Sequence, residues 1–265
     1  MTLPLLPVSP ETARRLSGTP LVIMLDVDGT LAPIASRPED AQVPVETRRV
    51  VAALAACEGV SVVLVSGRAA ADARRMVSVA NVWVIGNHGF EVSGPDGETV
   101  VDPQLEPYRA LIARAARRLA PRVAPLPGVI LEDKTWTLTV HYRLSDSAVV
   151  PRLREVIEEA VAPLGLRVTD GKKVFEVRPP ARVDKGTAVI LLGREIGALD
   201  EGSSLLFVGD DRTDEDAFRA IRRNKGSAVT ARVRGDGGET TAAEFAVRDP
   251  AEVRSFLEWL LAARR

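Results

Sequence analysis

Residues 21–31 read LVIMLDVDGTL, and this stretch decides the fold class. Residues 21–25 form a continuous apolar run, which is typical of a strand buried on both faces of a parallel sheet. The run ends at Asp26, and Asp28 and Gly29 follow within three positions. Ligands bind beyond the carboxyl ends of the strands in an open parallel sheet, so we expect the two carboxylates to lie at a binding site. Gly29 lets the backbone turn sharply there.

Similar patterns follow along the chain. A helical pattern over residues 45–56 precedes an apolar run at 61–65, and a second helical pattern reaching residue 76 precedes another run at 82–85. This alternation predicts a parallel sheet with helices on both faces. It resumes with predicted helices over 184–196, 214–221 and 252–263 and predicted strands at 205–208, 228–229 and 245–247, with a surface connection over 235–241.

The segment between these two halves has a different pattern. Residues 90–101 predict a hairpin around Gly94-Pro95-Asp96-Gly97, and a helix over 105–119 is expected to break at Pro121. Closely spaced strand and helix patterns follow, including an alternating strand at 136–141. We therefore predict a Rossmann-like α/β core domain, residues 1–103 plus 182–265, with an inserted antiparallel α+β domain at residues 104–181.

Composition excludes several classes of function. The chain has 35 Lys+Arg and 36 Asp+Glu, so its net charge is close to zero. We therefore do not expect it to bind nucleic acid or an anionic membrane through a broad positively charged surface. Cys57 is the one cysteine, which excludes an intrachain disulfide and a cysteine-based zinc cage. Residues 1–20 lack the basic start and apolar run of a signal peptide, and no stretch is long enough to cross a bilayer. We expect a cytoplasmic protein.

Two further segments carry groups that suit an anion. Ser66-Gly67-Arg68 follows the second strand and opens a helix, so its hydroxyl and N–H groups could bind an anion or simply cap the helix. Lys185 lies at a predicted helix start, where it works against the helix dipole; either a ligand anion offsets this cost or the lysine is exposed.

Residues 208–216 read VGDDRTDED and follow a predicted strand directly. Such an acidic run can be a solvated surface, but here at least Asp210 should reach the carboxyl edge of the sheet. Clustered carboxylates without His or Cys favour a hard cation, and magnesium is the expected one. Asp214 is also placed to cap the helix that follows.

Four short motifs follow one another along the chain: Asp-x-Asp-Gly-Thr at 26–30, Ser66, Lys185 and Gly-Asp-Asp at 209–211. This series of motifs resembles that of the haloacid dehalogenase-like phosphohydrolases. The resemblance implies that Asp26 is a nucleophile that forms an aspartyl-phosphate, and that Asp28 protonates the leaving alcohol and then activates water. It implies Mg²⁺ on Asp26, the main-chain carbonyl of Asp28 and Asp210, with Asp211 and Asp214 in support. The phosphate-binding residues that it implies are Gly29, Ser66, Gly67 and Lys185.

Longer segments resemble the trehalose-6-phosphate phosphatases, and the insert lies where the haloacid dehalogenase-like enzymes carry their larger α+β cap. These segments are GNHGFE at 86–91, EDK at 132–134, HYR at 141–143, GKKVFEVRP at 171–179 and GDDRTDEDAF at 209–218. The substrate-binding residues that the resemblance suggests are Asn87, His88, Glu132, Lys134, Glu176 and Arg178. Alternatively, Glu176 and Arg178 form an ion pair on the cap surface.

The sequence therefore predicts a Mg²⁺-dependent phosphatase that releases trehalose from its 6-phosphate, with a small-molecule sugar phosphate as its partner and a monomeric state. A phosphatase of the same family that acts on another sugar or pseudodisaccharide phosphate is the main alternative. A phosphomutase and a non-catalytic sugar-phosphate-binding protein are more distant alternatives.

Overall fold

The computed structural model describes residues 3–181, 183–234 and 240–264. The β-strands of this part of the chain are β1 Leu21–Asp26, β2 Val60–Val65, β3 Val82–Gly86, β4 Glu91–Ser93, β5 Thr99–Val101, β6 Ile130–Asp133, β7 Leu138–His141, β8 Arg167–Gly171, β9 Val174–Arg178, β10 Ser204–Gly209, β11 Val229–Val233 and β12 Phe245–Val247. Its α-helices are α1 Pro10–Arg15, α2 Val45–Ala55, α3 Ala70–Val77, α4 Glu106–Val123, α5 Val150–Val161, α6 Lys185–Glu195, α7 Asp214–Asn224 and α8 Pro250–Ala263.

The chain divides into two compact units, which we call the core unit (Met1–Val100 with Val183–Arg265) and the inserted unit (Val101–Arg182). The main sheet has the strand order β12-β11-β10-β1-β2-β3-β4-β5. β1 lies at its centre and pairs in parallel with both β10 and β2, whereas β4 runs antiparallel to β3. The predicted parallel-sheet α/β architecture is confirmed.

Side-chain alternation along β1 explains why helices cover both faces of this sheet. Leu21, Ile23 and Leu25 pack into the core beneath α2, α3 and α8. Val22 and Met24 pack into the second core, beneath α6 and α7. Because successive side chains of a strand point to opposite faces, Asp26 belongs to the same face as Met24. The last residue of β1 is therefore directed toward the side of the sheet where α6 and α7 begin.

The inserted unit contains a four-stranded antiparallel sheet with the order β6-β7-β9-β8. Its own hydrophobic core includes Leu138 and Val140 of β7 and Phe175 of β9, which pack with apolar residues of α4 and α5. The alternate positions of the same strands carry polar residues such as Thr139 and Glu176, which pair across β7 and β9. This sheet thus has one face covered by helices and one polar face.

The predicted helix break at Pro121 is wrong, because α4 continues to Val123. Proline removes one backbone donor, the N–H that would bond to the carbonyl of Arg117, and the helix tolerates this single loss. Leu119 and Val123 are buried in the core of the inserted unit and hold this last turn in place. The predicted strand at 136–141 begins later, at Leu138, and Trp136 is buried before it with Arg109 5.8 Å from its ring.

Most of the surface connection expected over 235–241 lies outside the described residues, since the description resumes only at residue 240. Among the helices that the structure does describe, none combines the length and the apolar character needed to cross a membrane.

Replacing Phe207 of β10 tests the second core. Its side chain is fully buried and its ring lies 5.3 Å from that of Phe218, edge to face. We expect Phe207→Ala to lower the free energy of unfolding by about 3–5 kcal/mol, because it leaves a cavity between the sheet and α7. Urea denaturation followed by circular dichroism measures the change. Leu191→Ala, at a position 63% exposed, is the control and should change stability by less than about 0.5 kcal/mol; equal effects would contradict this description of the core.

Candidate active site

Three carboxylates meet where β1 and β10 end. Leu25 pairs with Val208, so Asp26 lies level with Gly209 and Asp210 follows just beyond the sheet. One carboxylate oxygen each from Asp26, Asp210 and Asp214 lies within 4.8 Å of the others, and all three residues are buried. The sheet therefore brings these acids together from opposite ends of the chain.

Lys185 is the counter-charge of this cluster. It is the first residue of α6, whose start is fixed by a reciprocal pair of hydrogen bonds between Asp184 and Thr187. Its Nζ lies 2.8 Å from Asp26 Oδ1 and 2.8 Å from Asp214 Oδ1, and its side chain is only 2% exposed. Two carboxylates of the protein thus offset the cost of a lysine at a helix start, and the alternative of an exposed lysine is wrong.

Asp214 organises the loop after β10 instead of capping α7. Its Oδ2 accepts hydrogen bonds from the N–H groups of Asp210 at 2.9 Å and Asp211 at 3.0 Å. The N–H groups of Thr213 and Asp214, at the start of α7, donate to Asp211 Oδ1 at 2.8 and 3.1 Å. The predicted cap at Asp214 is wrong because the first turn points its carboxylate back to the sheet, where Gly209 leaves room for it.

The electrostatics of the cluster follow from burial and from competition for one ammonium group. Burial raises the pKa of Asp26 well above its usual range, although Lys185 opposes the rise. Burial also raises the pKa of Asp214, to about 7, against the same opposing charge. For Asp211, burial favours a higher pKa, but Lys185 and the hydrogen bond from Thr213 outweigh it and lower the pKa to about 2. The site holds more negative charge than Lys185 neutralises.

A divalent cation suits this arrangement. Asp26 Oδ2 is buried and has no hydrogen-bond partner among the described residues, while Oδ1 is bound by Lys185. The carboxylate of Asp210 lies against the Cα of Gly29, where a Cβ would overlap it, and Gly29 has φ +90. A buried set of oxygen donors without sulfur or imidazole fits Mg²⁺ better than a softer metal.

Asp28 has a different hydrogen-bond partner from the acids of this cluster. Both of its carboxylate oxygens accept hydrogen bonds from Arg68, at 2.7 and 2.8 Å. The loop that carries Asp28 turns tightly, because the N–H of Gly29 donates to the carbonyl of Ala32 at 2.8 Å. Gly29 therefore contributes room for Asp210, and in this structure its N–H is already used.

The predicted phosphate loop packs against the segment after β3. Ser66 is buried, and its Oγ accepts a hydrogen bond from the N–H of Arg68 at 3.1 Å. A Cβ at Gly67 would lie 2.5 Å from Cε1 of the His88 ring, so only glycine fits there. Asn87 and His88 both have positive φ, at 49 and 57, which is an uncommon conformation for non-glycine residues.

Glu91 holds this segment in place, and the sequence pattern indicated no role for it. Its Oε1 accepts from Asn87 Nδ2 at 2.9 Å, and its Oε2 accepts from the N–H of Ala70, at the start of α3, at 2.6 Å. Glu91 thereby ties the strained Asn87-His88 segment to α3 through buried, charge-assisted hydrogen bonds.

The inserted unit has its own charged cluster on the polar face of its sheet. Lys134 Nζ lies 3.8 Å from Glu132 Oε2 and 3.6 Å from Glu176 Oε1. Glu132 Oε2 also contacts His141 Nε2 at 2.8 Å, and Glu176 Oε1 accepts from Thr139 Oγ1 at 3.0 Å. Four of the predicted substrate-binding residues lie in this unit, and the described contacts bring Glu132, Lys134 and Glu176 together. The fourth, Arg178, lies two positions after Glu176 on β9.

Comparison with known proteins identifies the family. The family model described as trehalose-phosphatase matches residues 24–251, which run from within β1 to the first turn of α8. The chain belongs to the trehalose-phosphatase family. Trehalose-phosphate phosphatase B of Arabidopsis thaliana is 32% identical to it over 267 residues, covering 96% of this chain and 70% of that protein.

Other relatives of the chain differ in length. An uncharacterised glycosyl hydrolase of Mycobacterium tuberculosis is 36% identical over 258 residues, which cover 96% of this chain but only 19% of that protein. The chain thus spans about a fifth of the length of that relative. The crystal structure of a trehalose-6-phosphate phosphatase related protein superimposes with a TM-score of 0.78 at 28% identity, covering 91% of this chain and 97% of that one.

Magnesium binding can be measured without any substrate. We expect MgCl₂ to raise the midpoint of thermal unfolding, because a ligand that binds only the folded state stabilises it, by about 2.7 kcal/mol at 100 times its Kd. Asp210→Asn should weaken Mg²⁺ binding, measured by calorimetry, by at least about tenfold, since it removes a charged ligand. Asp96→Asn, on the exposed hairpin loop, is the matched control. A wild-type protein that Mg²⁺ does not stabilise would contradict the assignment.

Proposed function

We propose that this protein is a Mg²⁺-dependent phosphatase that hydrolyses trehalose 6-phosphate to trehalose and phosphate through an aspartyl-phosphate intermediate. The observation that carries the proposal is the environment of Asp26, whose Oδ1 is held by the buried Lys185 while Oδ2 has no hydrogen-bond partner among the described residues. A buried carboxylate of fixed orientation suits nucleophilic catalysis. Membership of the trehalose-phosphatase family supports this activity.

In the first half-reaction, a carboxylate oxygen of Asp26 attacks the phosphorus atom and the bond from phosphorus to the sugar oxygen breaks. Asp28 donates a proton to the leaving alcohol, a role that typically accelerates such steps by about 10²–10⁴-fold. In the second, water attacks the phosphorus atom of the aspartyl-phosphate, the bond from phosphorus to the Asp26 oxygen breaks, and Asp28 accepts a proton from the water. Lys185 and the Ser66-Gly67 segment bind the phosphate oxygens and stabilise the charge that develops on them.

Asp26, the main-chain carbonyl of Asp28 and Asp210 would hold the Mg²⁺, with Asp211 and Asp214 in support. When bound, this ion supplies the positive charge that allows a carboxylate to approach a phosphate dianion. The raised pKa values of Asp26 and Asp214 support this assignment, since both indicate that negative charge at the site is poorly compensated without a cation.

We assign recognition of the sugar to the charged cluster of the inserted unit. Asn87 and His88 of the core unit are proposed separately as substrate-binding residues. Glu132, Lys134 and Glu176 combine acceptors and donors in one small area, which suits the hydroxyl groups of a disaccharide. A phosphatase for another sugar phosphate would share the same catalytic residues, so the choice of substrate rests on this cluster and on the family.

Phosphate release from a panel of esters tests the activity. We expect the wild-type protein with MgCl₂ to prefer trehalose 6-phosphate over glucose 6-phosphate, sucrose 6-phosphate and an aryl phosphate, and a chelator to abolish turnover. Asp26→Asn should lose activity by at least about 10³-fold, because no other group can accept the phosphoryl group, whereas Asp96→Asn should not. Appreciable activity of Asp26→Asn would remove the nucleophile, and preference for another sugar phosphate would favour the alternative substrate.

Steady-state kinetics of Glu176→Gln test sugar recognition. We expect KM for trehalose 6-phosphate to rise about tenfold, since a hydrogen bond to a charged group contributes about 1.5–3 kcal/mol, while kcat/KM for an aryl phosphate changes little. Glu159→Gln, an exposed position on α5, is the control in the same unit. Equal losses with both substrates would show that Glu176 does not recognise the sugar.

A further inference from the structure

Arg68 binds Asp28, the proposed acid and base of the reaction, and it also contacts two other segments of the core unit. Its side chain is 12% exposed, and it donates from Nε to Asp28 Oδ2 at 2.7 Å and from Nη2 to Asp28 Oδ1 at 2.8 Å. This is the two-bond fork in which a guanidinium fixes both the position and the plane of a carboxylate.

The guanidinium is itself anchored from two other segments. Nη1 donates to Asp72 Oδ2 in the first turn of α3 at 3.2 Å, and Nη2 donates to the carbonyl of Pro38 at 3.0 Å. Because Asp72 and Pro38 hold the guanidinium in place, it cannot move with Asp28 if that residue rotates. The Asp28 carboxylate, which is 34% exposed, is therefore oriented by a fixed charge.

We propose that Arg68 is the positioning residue that holds Asp28 ready to activate water in the second half-reaction; this rests on the proposed function. In that step the water oxygen bonds to phosphorus while the bond from phosphorus to the Asp26 oxygen breaks. The electron pair returns to the Asp26 carboxylate, and a water proton passes to a carboxylate oxygen of Asp28. The base must be correctly aimed, and a bidentate guanidinium fixes both the position and the plane of its carboxylate.

The two substrates should therefore depend on Arg68 to different extents. An aryl alcohol is a good leaving group, so only hydrolysis of its aspartyl-phosphate needs a well-placed Asp28. A sugar alcohol is a poor leaving group and needs Asp28 in both half-reactions. Loss of Arg68 should slow hydrolysis of the aspartyl-phosphate with both substrates, and its formation only with trehalose 6-phosphate.

The test is a comparison of Arg68→Met and Arg68→Lys with wild type, using an aryl phosphate and trehalose 6-phosphate. For Arg68→Met with the aryl phosphate we expect kcat and KM to fall together by about tenfold or more, with kcat/KM within about threefold of wild type and a burst of alcohol equal to the enzyme concentration. With trehalose 6-phosphate we expect kcat/KM to fall by about tenfold or more as well, because its leaving alcohol also needs Asp28. Arg68→Lys should recover part of kcat, because lysine restores the charge but not the fork. Arg75→Met is the matched control: Arg75 also contacts Asp72 from α3 but is 75% exposed.

With the aryl phosphate, a parallel fall of kcat and kcat/KM without a burst would overturn the proposal, because it would mean that Arg68 acts before the activation of water or only on the fold. A crystal structure of Arg68→Met provides a readout that needs no activity. We expect the Asp28 carboxylate to leave its position while Asp26, Lys185 and Asp214 keep theirs, and an unmoved Asp28 would also overturn the proposal. Absence of phosphate release by the wild-type protein would instead reject the proposed function, and the crystal structure would still decide the role of Arg68.

Discussion

The ammonium group of Lys185, buried between Asp26 and Asp214, is the interaction on which the rest of the site depends. A charge of this kind costs several kcal/mol to bury unless it is paired, and here two carboxylates at 2.8 Å supply the pairing. The pairing requires the first turns of α6 and α7 to meet the end of β1. Gly186 permits that approach, because a Cβ there would overlap the carbonyl of Asp216 on α7. Asp210 adds a third carboxylate to the one ammonium group, and this buried set of oxygen atoms suits a divalent cation.

The strands that build this site could be predicted from the sequence because they are buried on both faces. β1, β2 and β10 read as continuous apolar runs, and each is followed directly by polar residues at its carboxyl end. Parallel pairing then brings those ends to one edge, which explains why Asp26, Ser66 and Asp210 could be recognised as a group before the structure was known. The roles of these residues in the reaction, and the sugar that is bound, remain predictions because they depend on chemistry with a ligand.

The side-chain partnerships could not be predicted, since they join segments that are distant in sequence. Nothing in the pattern around Asp28 indicates that Arg68 would bind it, or that Glu91 would tie Asn87 to α3. The exchange of roles between Asp211 and Asp214 at the start of α7 has the same origin. The two acids are three positions apart, and Asp214 turns inward to Lys185, where Gly209 leaves room for its carboxylate. The continuation of α4 past Pro121 likewise depends on apolar contacts in the inserted unit that local propensity does not contain.

The separation of Asp26 and Lys185 by 159 positions has a consequence for how the molecule assembles. β1 and β2 are close in sequence and can pair early. In contrast, α6 and β10 follow the whole inserted unit in the sequence, and the carboxylates meet only when these elements pack against β1. Closing a long loop costs entropy, and a compact insert with its own hydrophobic core shortens the length of chain that must be ordered. The carboxylate cluster therefore needs residues from both halves of the core unit, and a nascent chain that ends before α6 would hold Asp26 without its ammonium partner, Lys185.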